Sequence, residues 1–362
     1  LENSVREIAK YYNGHTIIVE KSTVPVKTAE TIELLLNSSC LDNVNDEKKT
    51  YSVLSNPEFL AEGTAINDLE NPDRVLIGGD NDGAIKALEN VYATWIKNDR
   101  IIKTDLWSAE LSKLIANAFL AQKISSINSI SALCEVTGAD IKEVSNAVGK
   151  DTRIGEFFLN SGPGFGGSCF KKDILNLVYI SKYYGLYETA NYWQKVIEIN
   201  NWQQKRISNI IINKLFGTVV GKRLSILGFA FKKNTNDTRE SPAIKICKDL
   251  IEEGAKLNIY DPKVKPQIIE KDLNLRESIE FDNNSEFGEW KFASDIYKAA
   301  IDSDAVIFLT EWEEFKSINW EKMSKVMRNP KWIFDTRSIN LSKDLKKYGF
   351  NIWVIGEGKK LP

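Results

Sequence analysis

The sequence predicts an α/β protein made of two parallel-sheet domains, the first incomplete, joined by a central helical domain with a long helix. Three observations carry this. Strand-like and helix-like segments alternate between Thr16 and Ile96, the pattern of a parallel sheet with crossover helices. From about Ser108 the apolar period becomes continuously helical. At Gly221 the alternation of strands and helices resumes. The corresponding divisions are 1–105, 106–216 and 217–362.

Asn3 to Tyr11 reads as the end of an amphipathic helix that Asn13-Gly14 stops. Thr16-Ile-Ile-Val-Glu20 is a β-branched strand whose exit loop is Lys21-Ser-Thr-Val-Pro25, and a helix follows over Val26–Leu36. Tyr51–Ser55 is the next strand, leading into Asn56-Pro-Glu-Phe-Leu-Ala-Glu-Gly63. Arg74–Gly79 is a third strand and Ala84–Ile96 the helix after it. Ligands of parallel α/β sheets bind beyond the carboxyl ends of the strands, which is where Thr23, Glu58 and Glu62 fall. This piece has no glycine-rich first turn. The phosphate-binding half of a dinucleotide domain is therefore expected to be missing from the chain, which opens on Leu1 in mid-pattern like a trimmed protein.

The helical middle runs from Ala109 through Ile124, Ile127 and Ile130 to Cys134, with Gly138 as a break. Within it Lys113 and Asn117 are four apart and share a face, able to reach one pocket. A solvated lysine is the alternative. Helices over Ile174–Tyr184 and Glu188–Leu215 follow, the latter rich in aromatics around Trp193–Trp202 and suited to a domain connector or dimer interface. Leu224–Gly228 then reads as a strand, Ser241-Pro242 as an N-cap with proline at the first helical position, and Gly254 as the helix stop. Lys256–Asp261, Ala305–Leu309, Trp332–Asp335 and Ile352–Ile355 are further strands. The first loop of this half carries Lys232, Lys233 and Arg239 with one glycine. It suits a phosphate-bearing ligand, or else simply solvates these side chains.

Between the helical segments lies Gly162-Pro-Gly-Phe-Gly-Gly-Ser-Cys-Phe-Lys-Lys-Asp173. Its glycines allow positive φ and close approach of a ligand to the main chain. Cys169 and Asp173 are four apart and share a face if the helix begins near Ser168. A thiol at a helix N-terminus has its thiolate favoured by the helix dipole, the setting of a nucleophile. A tight turn with a small buried cysteine is the other reading. Gly162, Gly164 and Gly167 also satisfy G-x-G-x-x-G, but no strand precedes them, so the dinucleotide reading is rejected.

Composition narrows the chemistry. The 362 residues, 43% hydrophobic and 27% charged, suffice for two or three domains with cores of their own. A net charge of −2 with interspersed signs gives no reason to expect nucleic acid or a membrane surface as partner. No apolar run approaches the roughly 20 residues of a membrane span. Cys40, Cys134, Cys169 and Cys247 form no C-x-x-C pair, so no metal site or disulfide framework is expected and a reducing, cytoplasmic compartment fits. The single histidine, His15, stands at a strand entrance and is expected on the surface. A histidine-dependent triad is thereby nearly excluded, and acid–base work falls to carboxylates, lysine or cysteine.

Five stretches taken together resemble the UDP-glucose 6-dehydrogenases within the wider family of nucleotide-sugar dehydrogenases: Glu20–Pro25, Ser55–Gly63, Glu110–Phe119, Gly164–Asp173, and Gly228–Lys233 with Asp237–Glu240. They span nearly the whole chain in the family's order. The resemblance implies two Rossmann-like domains and oxidation of a sugar C6 alcohol to a carboxylate by two hydride transfers to NAD. It implies that Cys169 is the nucleophile, that Lys113 and Asn117 stabilise the C6 oxyanion, that Asp173 and Thr23 position a water, and that Glu58 assists thioester hydrolysis. Phe158, Leu159, Phe165, Gly166, Gly167, Phe231, Lys232 and Arg337 match positions that hold the nucleotide sugar. Arg153 matches one that reaches the substrate from a neighbouring subunit, implying a homodimer or higher homo-oligomer through the central helices. Ser22, Thr23, Glu62, Lys172 and Arg239 match positions on the NAD side. Asn160 departs from the family's animal members, which carry a lysine there, and an amide supplies no charge. Because the family's glycine-rich first strand and turn are not seen, the chain is expected to bind NAD poorly and turn over little. GDP-mannose or an N-acetylated UDP-sugar is the alternative substrate, and a non-catalytic nucleotide-sugar-binding subunit the alternative role.

Overall fold

The computed structural model describes residues 1–11, 14–41, 50–282, 285–339 and 345–358. The predicted helix stop at Asn13 lies outside them. The chain divides into two compact units, Leu1–Asn117 and Ala118–Pro362.

The first unit runs α1 (Glu2–Tyr11), β1 (His15–Glu20), α2 (Thr28–Leu41), β2 (Thr50–Ser55), α3 (Ala65–Glu70), β3 (Val75–Gly78), α4 (Asp82–Tyr92) and β4 (Ile101–Thr104), and then enters α5 (Leu106–Thr137). Its sheet has the order β1-β2-β3-β4. Adjacent residues of β2 serve opposite faces, as the pleat requires. Val53 packs with Val5, Ile18, Ile32 and Leu36, whereas Leu54 packs with Ile77, Ile85 and Tyr92. Burial on both faces is what a sheet covered by crossover helices demands. One expectation is corrected. β1 pairs with β2 and β3 with β4 in parallel, but β2 meets β3 antiparallel through the single pair Ser55↔Gly78. The connection between β2 and β3 holds only the six-residue α3. The edge strand β4 was not anticipated; two of its four residues are exposed.

The second unit contains α6 (Ile141–Gly149), α7 (Phe170–Tyr183), α8 (Tyr187–Lys214), β5 (Arg223–Leu227), α9 (Pro242–Glu252), β6 (Lys256–Tyr260), α10 (Pro266–Leu273), β7 (Glu289–Phe292), α11 (Ile296–Ala300), β8 (Ala305–Phe308), α12 (Trp320–Val326), β9 (Lys331–Asp335) and β10 (Phe350–Val354). The strands are all parallel in the order β10-β9-β8-β5-β6-β7. This is a complete doubly wound sheet, with its topological switch between β5 and β8. Leu224, Ile226, Leu257, Ile259, Ile307, Phe308 and Phe334 are fully buried, each contributing about 1.5–3 kcal/mol of transfer free energy. Ser241 caps α9 as expected, accepting from Ala243 N with Pro242 at the first helical position. β7 went unrecognised because only Trp290 of Glu-Trp-Lys-Phe is buried, which masks the strand period. Among the described residues no helix is long and apolar enough to cross a membrane.

Candidate active site

In the first unit the functional side chains collect where β1 and β2 end. Ser22 and Thr23 follow β1 directly, and Glu58 follows β2. Lys113, on α5, is almost wholly buried, with Nζ 3.6 Å from Glu58 Oε1. The same ammonium lies 5.2 Å from the Phe59 ring centroid, while the Arg74 guanidinium stacks 4.0 Å from it. Glu58 Oε2 also accepts from Leu60 N at 2.6 Å, which fixes the carboxylate. A lysine held between a carboxylate and an aromatic face is no solvated surface residue. Asn117 is buried one turn further on, and Glu62 is exposed. Behind the exit loop of β1, Lys21 donates to Asn56 Oδ1 (3.2 Å) and Tyr92 Oη (3.0 Å), and Tyr92 donates to Asn56 Oδ1 (2.6 Å).

Glu110 was overlooked as more than a motif letter. Its carboxylate accepts from Lys27 N (2.6 Å) and Ala29 N (2.8 Å) and so fills the N-terminus of α2. That helix end is consequently closed to a pyrophosphate. Ser22 and Thr23 lie outside the core at the carboxyl edge of the sheet, where ligands of such sheets bind. Glu20 lies beside this loop, and burial, reinforced by the nearby Glu110 charge, pushes its carboxyl up to about 7 against the Ser22 amide and Lys21, which lower it. A carboxyl raised in the folded state binds a proton that the unfolded chain has lost. Stability is then full below about pH 4.5 and declines as pH rises towards 7, by roughly 3 kcal/mol at most. Melting temperatures of the wild type and Glu20→Gln, measured across this window, should converge at its acid end and diverge at neutral pH with the variant the more stable; parallel curves would refute the assignment.

In the second unit Cys169 is exposed and occupies the N-cap position of α7, with φ −95° and ψ −55°. The buried-cysteine reading is therefore corrected. Asp173 N donates to Cys169 O at 2.9 Å, yet the Asp173 side chain is buried, so the two residues share a helix turn in different surroundings. The loop ahead of Cys169 is threaded against the doubly wound sheet. Gly167 N donates to Arg239 O (2.8 Å), and a Cβ on Gly166 would lie 2.5 Å from Glu240 O and 2.8 Å from Phe231 Cβ. No side chain fits at Gly166. Phe158 (φ 65°) and Glu240 (φ 52°) flank this loop in the left-handed region that bulky residues avoid. Lys171 pairs with Glu240 at 2.8 Å. Phe158 is partly exposed and Leu159 buried, and the Phe158 ring stands 6.4 Å from Phe170.

The crevice itself is shaped at the ends of β5 and β8. Gly228 (φ 93°) has no room for a Cβ, which would meet Thr310 at 2.4 Å. Thr310 Oγ1 donates to Ala230 O (2.6 Å), tying the two strand ends together. Arg337, after β9, donates to Leu309 O (2.8 Å) and Phe231 O (3.1 Å) and pairs with Glu311 at 3.3 Å. Asp335 accepts from Arg337 N and Ile339 N, and burial holds its carboxyl above its usual range. Lys232 lies 5.5 Å from the Phe231 ring centroid. Lys233 pairs with Glu313 and Arg239 with Asp237, each at 2.6 Å. Arg153 is exposed and paired with Asp151, and Lys172 is exposed at the start of α7.

Asp261, at the end of β6, was missed. It is buried, and its carboxylate accepts from Phe229 N, Ala230 N, Lys263 N, Val264 N and Trp312 Nε1 at 2.7–3.1 Å. An Asp closing a predicted strand just before Pro262 was the available signal. Among the described residues no group of His, Cys, Asp or Glu side chains could hold a metal ion.

A complete doubly wound sheet whose crevice abuts a glycine-rich loop bearing an exposed thiol defines a protein of the nucleotide-binding α/β class. Three family models match in chain order: the NAD binding domain of the UDP-glucose/GDP-mannose dehydrogenase family over residues 1–96, its central domain over 107–202 and its UDP binding domain over 225–341. The chain is 50% identical to UDP-glucose 6-dehydrogenase 2 of Oryza sativa subsp. japonica and to UDP-glucose 6-dehydrogenase 1 of Arabidopsis thaliana, in each case over 98% of this chain and 75% of the relative. Among solved structures, a UDP-glucose dehydrogenase from Pyrobaculum islandicum superposes with TM-score 0.80 at 28% identity, covering 99% of this chain and 74% of that one. A UDP-D-ManNAc dehydrogenase from Pyrococcus horikoshii does so with TM-score 0.80 at 26% identity, covering 99% and 77%. The chain belongs to the UDP-glucose/GDP-mannose dehydrogenase family. It is an NAD-dependent oxidoreductase. The expectation that the chain binds NAD poorly and turns over little for want of part of its NAD domain is withdrawn, because the NAD binding domain is matched over residues 1–96.

Proposed function

We propose that this chain oxidises UDP-glucose to UDP-glucuronate in two steps through a covalent intermediate on Cys169. The observation that carries the reading is the exposed Cys169 at the N-cap of α7, set on a loop that the Phe231 and Arg239 segment braces. The chemistry balances as one alcohol and one water giving a carboxylate, with two hydrides passing to NAD. In the first step the C6 alcohol loses a hydride and a proton to become an aldehyde. The Cys169 thiolate adds to that carbonyl, forming a C–S bond and a thiohemiacetal. Loss of the second hydride leaves a thioester, and water then displaces the thiolate. Lys113 and Asn117 stabilise the C6 oxyanion; Asp173 and Thr23 position the water and handle its proton, and Glu58 assists hydrolysis. NAD, when bound, supplies the hydride acceptor, and Ser22, Thr23, Glu62, Lys172 and Arg239 hold it. Phe158, Leu159, Phe165, Gly166, Gly167, Phe231, Lys232 and Arg337 hold the nucleotide sugar.

The three-part division at 105/106 and 216/217 belongs to the same proposal, as does a homo-oligomer in which Arg153 reaches a neighbouring copy. Exposed Tyr179, Tyr183, Tyr187 and Trp202 on α7 and α8 support association through these helices. The free thiols of Cys134, Cys169 and Cys247 support a reducing, cytoplasmic setting. Calorimetric titration with UDP-glucose, GDP-mannose and a UDP-N-acetyl sugar tests the substrate. Saturable binding of UDP-glucose at least about tenfold tighter than either competitor is expected. Preference for another sugar would transfer the reading to that substrate, and a folded chain that binds none of them would sink it.

A further inference from the structure

The glycine-rich loop before Cys169 forms no ladder and no helix, yet its backbone is buried. Buried peptide groups need partners. Here three side-chain amides supply them. Asn200 on α8 accepts from Phe165 N at 2.8 Å and donates to Phe165 O at 3.1 Å, completing both hydrogen bonds of one peptide residue. Gln203, also on α8, donates to Gly162 O at 3.0 Å, and Asn128 on α5 accepts from Gly162 N at 2.8 Å. All three are buried, Asn128 and Gln203 at 0% exposure and Asn200 at 5%. Gly164 (φ 128°) lies so close to Asn200 that a Cβ would stand 2.7 Å from Oδ1. The contact is therefore fitted on both sides.

The pinned residue leads directly to the thiol. The Phe165 ring meets the Phe170 ring edge-on, with centroids 5.7 Å apart and planes at 85°, and Phe170 follows Cys169 in sequence. We infer that Asn200, with Gln203 and Asn128, forms an amide clamp that positions the Cys169 nucleophile by holding the backbone of Gly162 and Phe165. These are positioning residues, since their amides bond the loop backbone and act on the thiol only through it, and the inference rests on the nucleophile reading above. Residues 200 and 203 stand on one face of α8, so a polar stripe that a helix core would ordinarily exclude has a defined use.

The test measures alkylation of Cys169 by iodoacetamide, with and without saturating UDP-glucose, alongside calorimetric affinity for UDP alone. In the wild type UDP-glucose should slow alkylation at least about tenfold, because the sugar C6 sits over the thiol. In Asn200→Ala this protection should fall below about twofold while UDP affinity stays within about threefold, a split that a general loss of structure would not give. Asn200→Asp keeps an acceptor for Phe165 N but loses the donor to Phe165 O, and should lie between. Full protection retained in Asn200→Ala overturns the clamp and leaves the nucleophile reading standing. No protection in the wild type overturns both. Should neither variant fold, hydrogen exchange on the wild type decides: slow exchange of the Phe165 amide supports the clamp, and exchange at the rate of an unstructured peptide overturns it.

Discussion

Replacing Cys169 with serine is expected to lower turnover by about a thousandfold or more while leaving affinity for UDP-glucose within about threefold. The reasoning is chemical. A serine hydroxyl at the α7 N-cap stays protonated at neutral pH, and the single histidine, His15, cannot serve as its base. His15 bonds Thr50 Oγ1 at 2.8 Å and faces Ser52 at 3.3 Å in the β1–β2 ladder. The aldehyde formed by the first hydride transfer would then lack a nucleophile able to carry it to the acid level. Absorbance of NADH gives the rate, and mass spectrometry of the products shows whether aldehyde replaces carboxylate. The substitution exchanges one sulfur atom for an oxygen at an exposed position, so stability should hardly change. A serine variant with more than about a tenth of wild-type turnover would remove Cys169 from the mechanism.

Lys113→Met should produce the second-largest loss, about a hundredfold to a thousandfold in kcat, with a smaller change in KM. Methionine retains most of the lysine stem, so the packing beside Phe59 survives and only the charge disappears. What remains is Glu58, 3.6 Å from the lost ammonium and itself part-exposed, so the carboxylate can recruit water and the fold should tolerate the change. Lys113 is buried where a charge is costly to hold, and its partner Glu58 offsets that cost at 3.6 Å. A loss confined to stability, with kcat restored in the folded fraction, would make it a structural residue instead. Paired with Glu58→Gln, the variant also separates the two roles: Glu58→Gln should slow thioester hydrolysis and leave the first hydride transfer unaffected.

Much of the fold was legible because apolar period and capping signals agree locally. Thr16–Glu20, Leu224–Gly228 and the Ser241-Pro242 cap were each read within a residue or two of their place. The reading failed where side-chain pattern does not determine structure. Glu-Trp-Lys-Phe of β7 and Ile-Ile-Lys-Thr of β4 are strands because of their neighbours. The antiparallel meeting of Ser55 and Gly78 is a property of the connection between them, which no period encodes. For the candidate site, glycine spacing and helix offset singled out the Cys169 loop and Lys113. The groups that brace the two loops lie far along the chain: Asn200 is 35 residues from Phe165 in the Cys169 loop, and Asp261 is 32 from Phe229 after β5. Contacts at such separations leave no local trace in a single sequence.

The saturation of Asp261 has a consequence for how the chain sorts its two nucleotides. In dinucleotide-binding sheets of this topology, an acidic residue near the end of the second strand reads the ribose hydroxyls. Asp261 stands at that place after β6, but its two oxygens already serve four backbone amides and an indole. A ribose entering there would find no acceptor. The second sheet thus keeps the architecture of a dinucleotide receptor while the acidic group at its ribose position is turned inward, spent on the protein's own amides.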